Sequence, residues 1–460
     1  MMDIDSIKSV YFVGAGGIGM SALVRYFLSL GKVVAGYDRT ASELTEHLNA
    51  EGACIHYEDS VELIPEECKE KESTMVVYTP AVPQSHSELV WFREQGFEIQ
   101  KRAQVLGAIT RSRRGLCVAG THGKTTTSSM AAHLMYGSHV GTTAFLGGIS
   151  QNYGTNLLLT DKSDYVVIEA DEYDRSFHQL RPYITVITST DPDHLDIYGT
   201  PEAYWESFEH YTSLIQPSGA LIIHEGLEIT PRLQEGVRMF TYSRDKGDFH
   251  ADNIRIGGGE IVIDFVHPEG VIKDIILGVP LSVNIDNGIA AMAMAKLAGA
   301  TDEELHEGMA SFRGVERRFD FKLKADTKVY LSDYAHHPAE IRQSARSIRE
   351  LYAGRKVTAI FQPHLYSRTQ DFYREFAESL SLFDEVILTE IYPAREEPIP
   401  GVTSDLIYEN LAPQVKKQII AKSEVLDVVE SKKDELDVLV TLGAGDIENY
   451  AAAITQILKG

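Results

Sequence analysis

Leu116-Cys-Val-Ala-Gly120-Thr-His-Gly123-Lys124-Thr-Thr-Thr127 is the stretch on which the reading of this chain turns. A short apolar run, Leu116–Ala119, reads as a buried strand. A glycine-bearing turn follows it, and Ser128–Met135 then has helical character. A loop of this kind presents backbone N–H groups that cradle phosphates. Lys124 would reach the terminal ones, and the Thr125 hydroxyl stands where such loops place a Mg²⁺ ligand. The strict pattern GxxxxGK[ST] is not met, because Val118 occupies its first glycine position. The shorter G-T-H-G-K-T-T form is the more specific signal.

Working outward, the next strand-like run, Tyr165–Ile168, ends in Glu169-Ala-Asp171-Glu172-Tyr-Asp174. Another, Ile184–Thr188, runs into Asp191-Pro-Asp193-His194-Leu-Asp196. Carboxylates at the C-terminal ends of parallel strands lie where α/β sheets bind ligands. So many of them together call for cations. Mg²⁺ takes one or two carboxylates plus phosphate oxygens and water, which suits this composition beside a phosphate loop. His194 reads equally as a metal ligand or as a packed loop histidine.

A second glycine loop lies near the N-terminus. Val10–Val13 leads into Gly14-Ala-Gly16-Gly17-Ile18-Gly19, and Met20–Leu30 is helical in character. In GxGxxG the first glycine permits a tight turn, the second admits a phosphate, and the third lets helix and strand approach. Asp38 follows nineteen residues after Gly19, where a ribose-binding acid often sits. A dinucleotide site, a packing turn and a site for another diphosphate all remain open on this motif alone.

The whole chain has 460 residues, enough for two to four domains. With 43% apolar and 24% charged residues it reads as an ordinary globular protein. No apolar run approaches the ~20 residues that span a bilayer. The start lacks a secretory pattern, and Cys54, Cys68 and Cys117 make no disulfide framework, so a reducing, cytoplasmic setting is expected. A net charge of −24 argues against nucleic-acid partners. Strand-like runs recur at Val33–Tyr37, Met75–Tyr78, Val357–Phe361, Glu385–Thr389 and Asp437–Leu442, alternating with helices, as in parallel sheets covered on both faces. Residues 251–277 alternate around Gly and Pro turns and predict an antiparallel patch, and Thr301-Asp-Glu-Glu304 predicts a capped helix. Three blocks result: 1–107, 108–318 and 319–460.

At this point the residues match a known family. GAGGIGMS (14–21), AGTHGKTTT (119–127), GTN (154–156), EADEYDRSF (169–177), DPDHLDIYGT (191–200), GVERRFD (314–320), DYAHHPAEI (333–341), FQPHLYSRT (361–369), YPAREEPIPGV (392–402) and GAGD (443–446) resemble, in that order, the Mur ligases of bacterial peptidoglycan synthesis. The resemblance implies an α/β protein of three domains. A Rossmann-like N-terminal domain would bind the UDP part of a sugar nucleotide. A central P-loop ATPase-like domain would bind ATP and Mg²⁺, or Mn²⁺ in its place. A Rossmann-like C-terminal domain would bring the amino acid. It also implies the reaction: ATP-dependent joining of L-alanine to UDP-N-acetylmuramate through an acyl phosphate, as the domains close. The protein would act as a monomer or homodimer on small molecules, with no nucleic acid and no membrane insertion.

The residues implied by the resemblance are these. Gly120, Thr121, His122, Gly123, Lys124, Thr125 and Thr126 would form the ATP loop. Asn284 and Asn287 would contact adenine, and Thr125 and Glu169 would hold one Mg²⁺, with His194 on a second. Gly14, Gly16, Gly17, Ile18, Gly19 and Asp38, with His122, would meet the sugar nucleotide. Arg318 would meet phosphate, and Tyr334, His336 and Arg368 would surround the alanine. Leu365 replaces an arginine that some relatives carry there, and 195–228 holds no lysine, so the carbamoylated lysine of other branches is absent. That absence favours the alanine-adding branch. His336 stands as the base for the amine or as a positioning group. Asp333 would orient a histidine or cap a helix, His337 and Cys117 read as structural, and one of the pair Arg317–Arg318 as a ligand contact. The rival readings are a ligase that attaches a whole tripeptide to the same nucleotide, an NAD-linked oxidoreductase, and a non-catalytic nucleotide-binding regulator.

Overall fold

The computed structural model describes residues 4–79, 81–316, 318–394 and 396–460, and the side chains of all these except Asp5 and Asp196. Arg317 and the Asp196 side chain, both singled out above, thus lie outside the described set. The apolar runs become three main sheets. The first is five-stranded and parallel, in the order Cys54–His56, Val33–Tyr37, Ser9–Val13, Thr74–Tyr78, Glu98–Lys101. Its central strand, Ser9–Val13, is buried throughout, as expected where helices cover both faces.

The second sheet has seven strands, in the order Arg238–Tyr242, Ala220–His224, Pro182–Ile187, Arg114–Ala119, Tyr165–Glu169, Thr143–Ser150, Thr155–Leu158. Only the Thr155–Leu158 edge is antiparallel. Arg114–Ala119 sits between the two strands that end in acidic residues, with Val118 in register with Glu169. That register, more than chain proximity, carries the acidic cluster to the phosphate loop. The third sheet has six strands, in the order Asp320–Lys324, Val329–Asp333, Val438–Leu442, Val357–Phe361, Glu385–Leu388, Lys416–Ile419, parallel except for its first strand.

The antiparallel patch is present as His250–Gly257, Glu260–His267 and Gly270–Ile276. Two-residue turns join its strands, a connection only antiparallel neighbours allow. Thr301 caps the helix Asp302–Ser311 in a full capping box with Glu304. By contacts the chain forms two compact units. One holds the first two sheets, with 265–273 and 286–312; the other holds 253–264, 274–285 and the chain from Arg313 onward. No described helix is long and apolar enough to cross a membrane.

Within the first unit a buried amide ties the helix after the first glycine loop to the edge strand of the second sheet. Asn156, fully buried, donates Nδ2 to the Ile18 carbonyl (2.6 Å) and lies 2.9 Å from the Ser21 hydroxyl, while its Oδ1 accepts from Arg25 (2.6 Å). The start of the helix Ile18–Ser29 is therefore held by a strand of the second sheet.

Candidate active site

The loop after Arg114–Ala119 is shaped by two glycines. Gly120 has φ +137° and Gly123 φ +80°. A Cβ would lie 2.0 Å from Thr188 Oγ1 at the first and 2.7 Å from Asn287 Oδ1 at the second. Gly123 caps the helix Lys124–Gly137 without any side-chain acceptor, which leaves the helix start to an anion. The loop is pinned from the next strand's end: Thr121 N–H donates to the Ser189 carbonyl, His122 N–H to Ser189 Oγ, and the Thr121 hydroxyl to the Asp191 carbonyl. Thr127 donates to Asn287 Oδ1 (3.1 Å). Thr126 is half-buried beside them.

Lys124 Nζ donates to the carbonyls of Gly120 (2.6 Å) and Thr121 (3.2 Å) and to Glu172 Oε1 (2.9 Å). Glu172, named in the acidic run but given no role of its own, is 2% exposed; burial pushes its carboxyl up, against the pull of Lys124. Thr125 Oγ1 lies 3.0 and 3.1 Å from the two oxygens of Glu169. Burial raises the Glu169 carboxyl as well, opposed by Lys124 and Thr125. The carboxylate faces Gly147, where a Cβ would come within 1.9 Å of Oε2.

A hydroxyl and a carboxylate oxygen presented together are hard donors of the kind Mg²⁺ or Mn²⁺ takes. Among the described residues no three His, Cys, Asp or Glu side chains gather to hold a metal by themselves. The donor set therefore fits a cation that completes its shell with phosphate and water. His194 is not with Thr125 and Glu169. Its Nε2 stands 3.9 Å from Glu172 Oε1 and 3.8 Å from Asp193 Oδ2, at the left-handed start (φ 52°) of the helix Leu195–Tyr198. His122 is exposed, 3.7 Å from Asp191 Oδ2.

At the first glycine loop, Gly14 (φ +93°) makes the tight turn. Gly17 precedes the helix with no side-chain cap and no acidic residue in its first turn. Two contacts define this loop further. Asp38 is turned onto the loop itself, accepting from Gly16 N–H (2.7 Å) and Thr40 N–H (3.3 Å), so its oxygens shape the cradle. Gly19 makes room not for a strand but for Arg102, whose Nη1 would lie 2.3 Å from a Cβ there.

In the second unit, Tyr334, His336, Arg368 and Arg318 come together. Arg318 lies over the Tyr334 ring at 5.2 Å, and the Tyr334 and His336 rings are 5.1 Å apart. His336 Nδ1 is 3.0 Å from the Tyr334 carbonyl, which can only accept, so Nδ1 carries the proton and Nε2 the lone pair. Burial holds its pKa below the usual 6.5, partly offset by Glu340. His364, within a quoted motif but not singled out, completes the group. Arg368 donates to its Nδ1 (3.3 Å), and burial, with His336 and Arg368, pushes its pKa down to about 4. Leu365 begins the helix Tyr366–Leu380 at φ +71°. Asp333 neither orients a histidine nor caps the next helix. It is bonded to Ser344 and the Phe319 N–H, while His337 is the cap of Pro338–Leu351. Asn284 is buried, its amide donating to the Val279 carbonyl. Cys117 is buried and its thiol pushed up to about 12, which fits a packing role.

Three models of one family match the chain: the Mur ligase family catalytic domain at 9–114, the Mur ligase middle domain at 118–295 and the Mur ligase glutamate ligase domain at 317–445. The chain belongs to the Mur ligase family. Its relatives include the UDP-N-acetylmuramate–L-alanine ligases of Phocaeicola vulgatus, 67% identical over all of both chains, and of Parabacteroides distasonis, 62% identical over 99% of this chain and 98% of that one. Among solved structures, the UDP-N-acetylmuramate-alanine ligase of Thermotoga maritima superposes with a TM-score of 0.80 at 26% identity, covering 98% of this chain and 99% of that one. A murein peptide ligase from Psychrobacter arcticus reaches 0.66 at 20% identity, covering 98% of each chain, a likeness of fold. The three-domain architecture of Mur ligases is thus this chain's architecture.

Proposed function

We infer that this Mur ligase joins L-alanine to UDP-N-acetylmuramate at the expense of ATP, forming ADP and phosphate. The observation that carries the reading is the full-length 67% identity to a ligase of that name, in a chain whose phosphate loop and acidic strand end meet. A carboxylate resists attack by an amine because oxide is a poor leaving group. ATP cures this. The lactyl carboxylate attacks the γ-phosphate, giving an acyl phosphate and ADP; the alanine amine then attacks the acyl carbon, and phosphate departs. Both reacting partners of the first step are anions, so the protein's task is positioning and charge neutralisation.

Lys124 leaves Glu172 for the ATP phosphates, and the amides of Gly120 to Thr126 cradle them. Thr125 and Glu169 would hold one Mg²⁺ and His194 a second; the metal when bound supplies neutralisation of the phosphate oxygens. Asn284 and Asn287 serve the adenine, and Arg318 serves phosphate. The loop Gly14–Gly19, Asp38 and His122 serve the sugar nucleotide. Tyr334 and Arg368 hold alanine, and His336, neutral with a free Nε2, takes the amine proton. By this reading 1–107 binds the sugar nucleotide, 108–318 ATP and 319–460 the amino acid, and the protein works in the cytoplasm.

Phosphate release tests it. Release should require both UDP-N-acetylmuramate and L-alanine; release with the nucleotide and a murein tripeptide, but not with L-alanine, would transfer the assignment to the tripeptide-adding branch.

A further inference from the structure

Arg102 is not among the residues the motifs pointed to. It opens the helix Arg102–Ser112 directly after the edge strand of the first sheet. Its guanidinium lies on the first glycine loop: a Cβ at Gly19 would stand 2.3 Å from Nη1 and 2.9 Å from Cζ. On its other side Nη2 is 3.7 Å from Asp171 Oδ2, in the acidic run that starts at Glu169. Gly19 has no left-handed φ, so no turn demands a glycine there; the room is used by the guanidinium. The ion pair can turn the guanidinium toward the loop but adds little stability of its own. The two groups are 3.7 Å apart with 30% and 37% of their side chains exposed, so water screens their attraction. What the placement achieves is a planar cation with forked donors beside an uncapped helix start, a pairing suited to two adjacent phosphates.

We propose that Arg102 contacts the diphosphate of the nucleotide sugar held at the Gly14–Gly19 loop, and that Asp171 positions its guanidinium for this. The proposal rests on the sugar-nucleotide reading of that loop. The test is calorimetric titration of the full-length protein with uridine diphosphate in the absence of ATP, and steady-state kinetics for each substrate. Arg102→Ala should weaken uridine diphosphate binding at least tenfold and raise KM for UDP-N-acetylmuramate by a similar factor. KM for ATP and for alanine should stay within about twofold, and the thermal midpoint should be unchanged. Arg102→Lys should recover part of the affinity. Asp171→Asn should weaken binding less, and the double variant should be no worse than Arg102→Ala alone. Wild-type affinity in Arg102→Ala, or additive losses in the double variant, would overturn the contact or the role of Asp171 respectively. If the wild-type protein binds neither uridine diphosphate nor the sugar nucleotide, the failure lies in the functional reading instead.

Discussion

Lys124 and Glu172 form a largely buried ion pair, which ATP has to open if Lys124 serves its phosphates as proposed. Breaking such a pair by removing one partner strands the other charge at a cost of about 3–5 kcal/mol. Lys124→Ala should therefore lower thermal stability as well as abolish phosphate release, and Lys124→Ala with Glu172→Gln should regain the stability but not the activity. Turnover by either variant would remove Lys124 from the chemistry. In the second unit the histidines set a pH dependence. His336 accepts a proton only when neutral, and its pKa lies below the usual 6.5, so kcat should rise with pH through an apparent pKa under that value and then level off. A His336→Gln variant that kept the same acid limb would refute its role as base. His364, with a folded pKa of about 4 against about 6.5 unfolded, binds more protons when unfolded. It therefore contributes stability above pH ~6.5 that is lost as pH falls toward 4. His364→Gln should flatten that acid loss, measured as thermal midpoint against pH.

Elements show what was legible in the sequence and what was not. The phosphate loop could be read because strand, turn and helix are consecutive, and each carries its own local signal. The acidic strand end could be read because Tyr165–Glu169 is an uninterrupted buried run with carboxylates at its close. Arg102, Glu172 and His364 could not, because each acquires its meaning from partners far along the chain: Gly19, Lys124 and, for His364, the ring of His336 at 5.8 Å. The orientation of Asp38 was not legible for the same reason. Position after a GxGxxG loop marks where an acid sits, whereas the direction its carboxylate faces depends on which N–H groups the loop leaves unbonded. The GTN motif likewise gave family resemblance without a reason, and the fold supplies one. Asn156→Asp keeps the size of the side chain but replaces the donor facing the Ile18 carbonyl with an acceptor. An unmet buried group costs about 1–3 kcal/mol, so the variant should melt earlier and bind uridine diphosphate more weakly, while ATP-analogue affinity changes little. Equal losses for both ligands would mean that Asn156 serves the fold at large instead of the first glycine loop.

At the scale of the molecule, a protein of net charge −24 takes two polyanionic substrates. Its long-range field repels them, while on the proposed assignments a few local groups attract: two uncapped helix starts, Lys124 and the guanidiniums of Arg102, Arg318 and Arg368. These two influences respond differently to salt. The Debye length falls from about 30 Å at 0.01 M to about 10 Å at 0.1 M ionic strength. Repulsion acting across the whole surface is damped over that range, whereas contacts made within a few ångströms are not. A basic anion-binding protein loses association rate as salt rises, because screening removes an attraction. Here it removes a repulsion. With free Mg²⁺ held constant, kcat/KM for UDP-N-acetylmuramate should rise or hold level between 0.01 and 0.1 M KCl, on the scale set by those Debye lengths, and should decline only at higher salt, where the short contacts themselves are screened. A steady fall from the lowest salt upward would mean that the local cations dominate the approach of the substrate as well as its final binding, and that the acidic surface has no part in either.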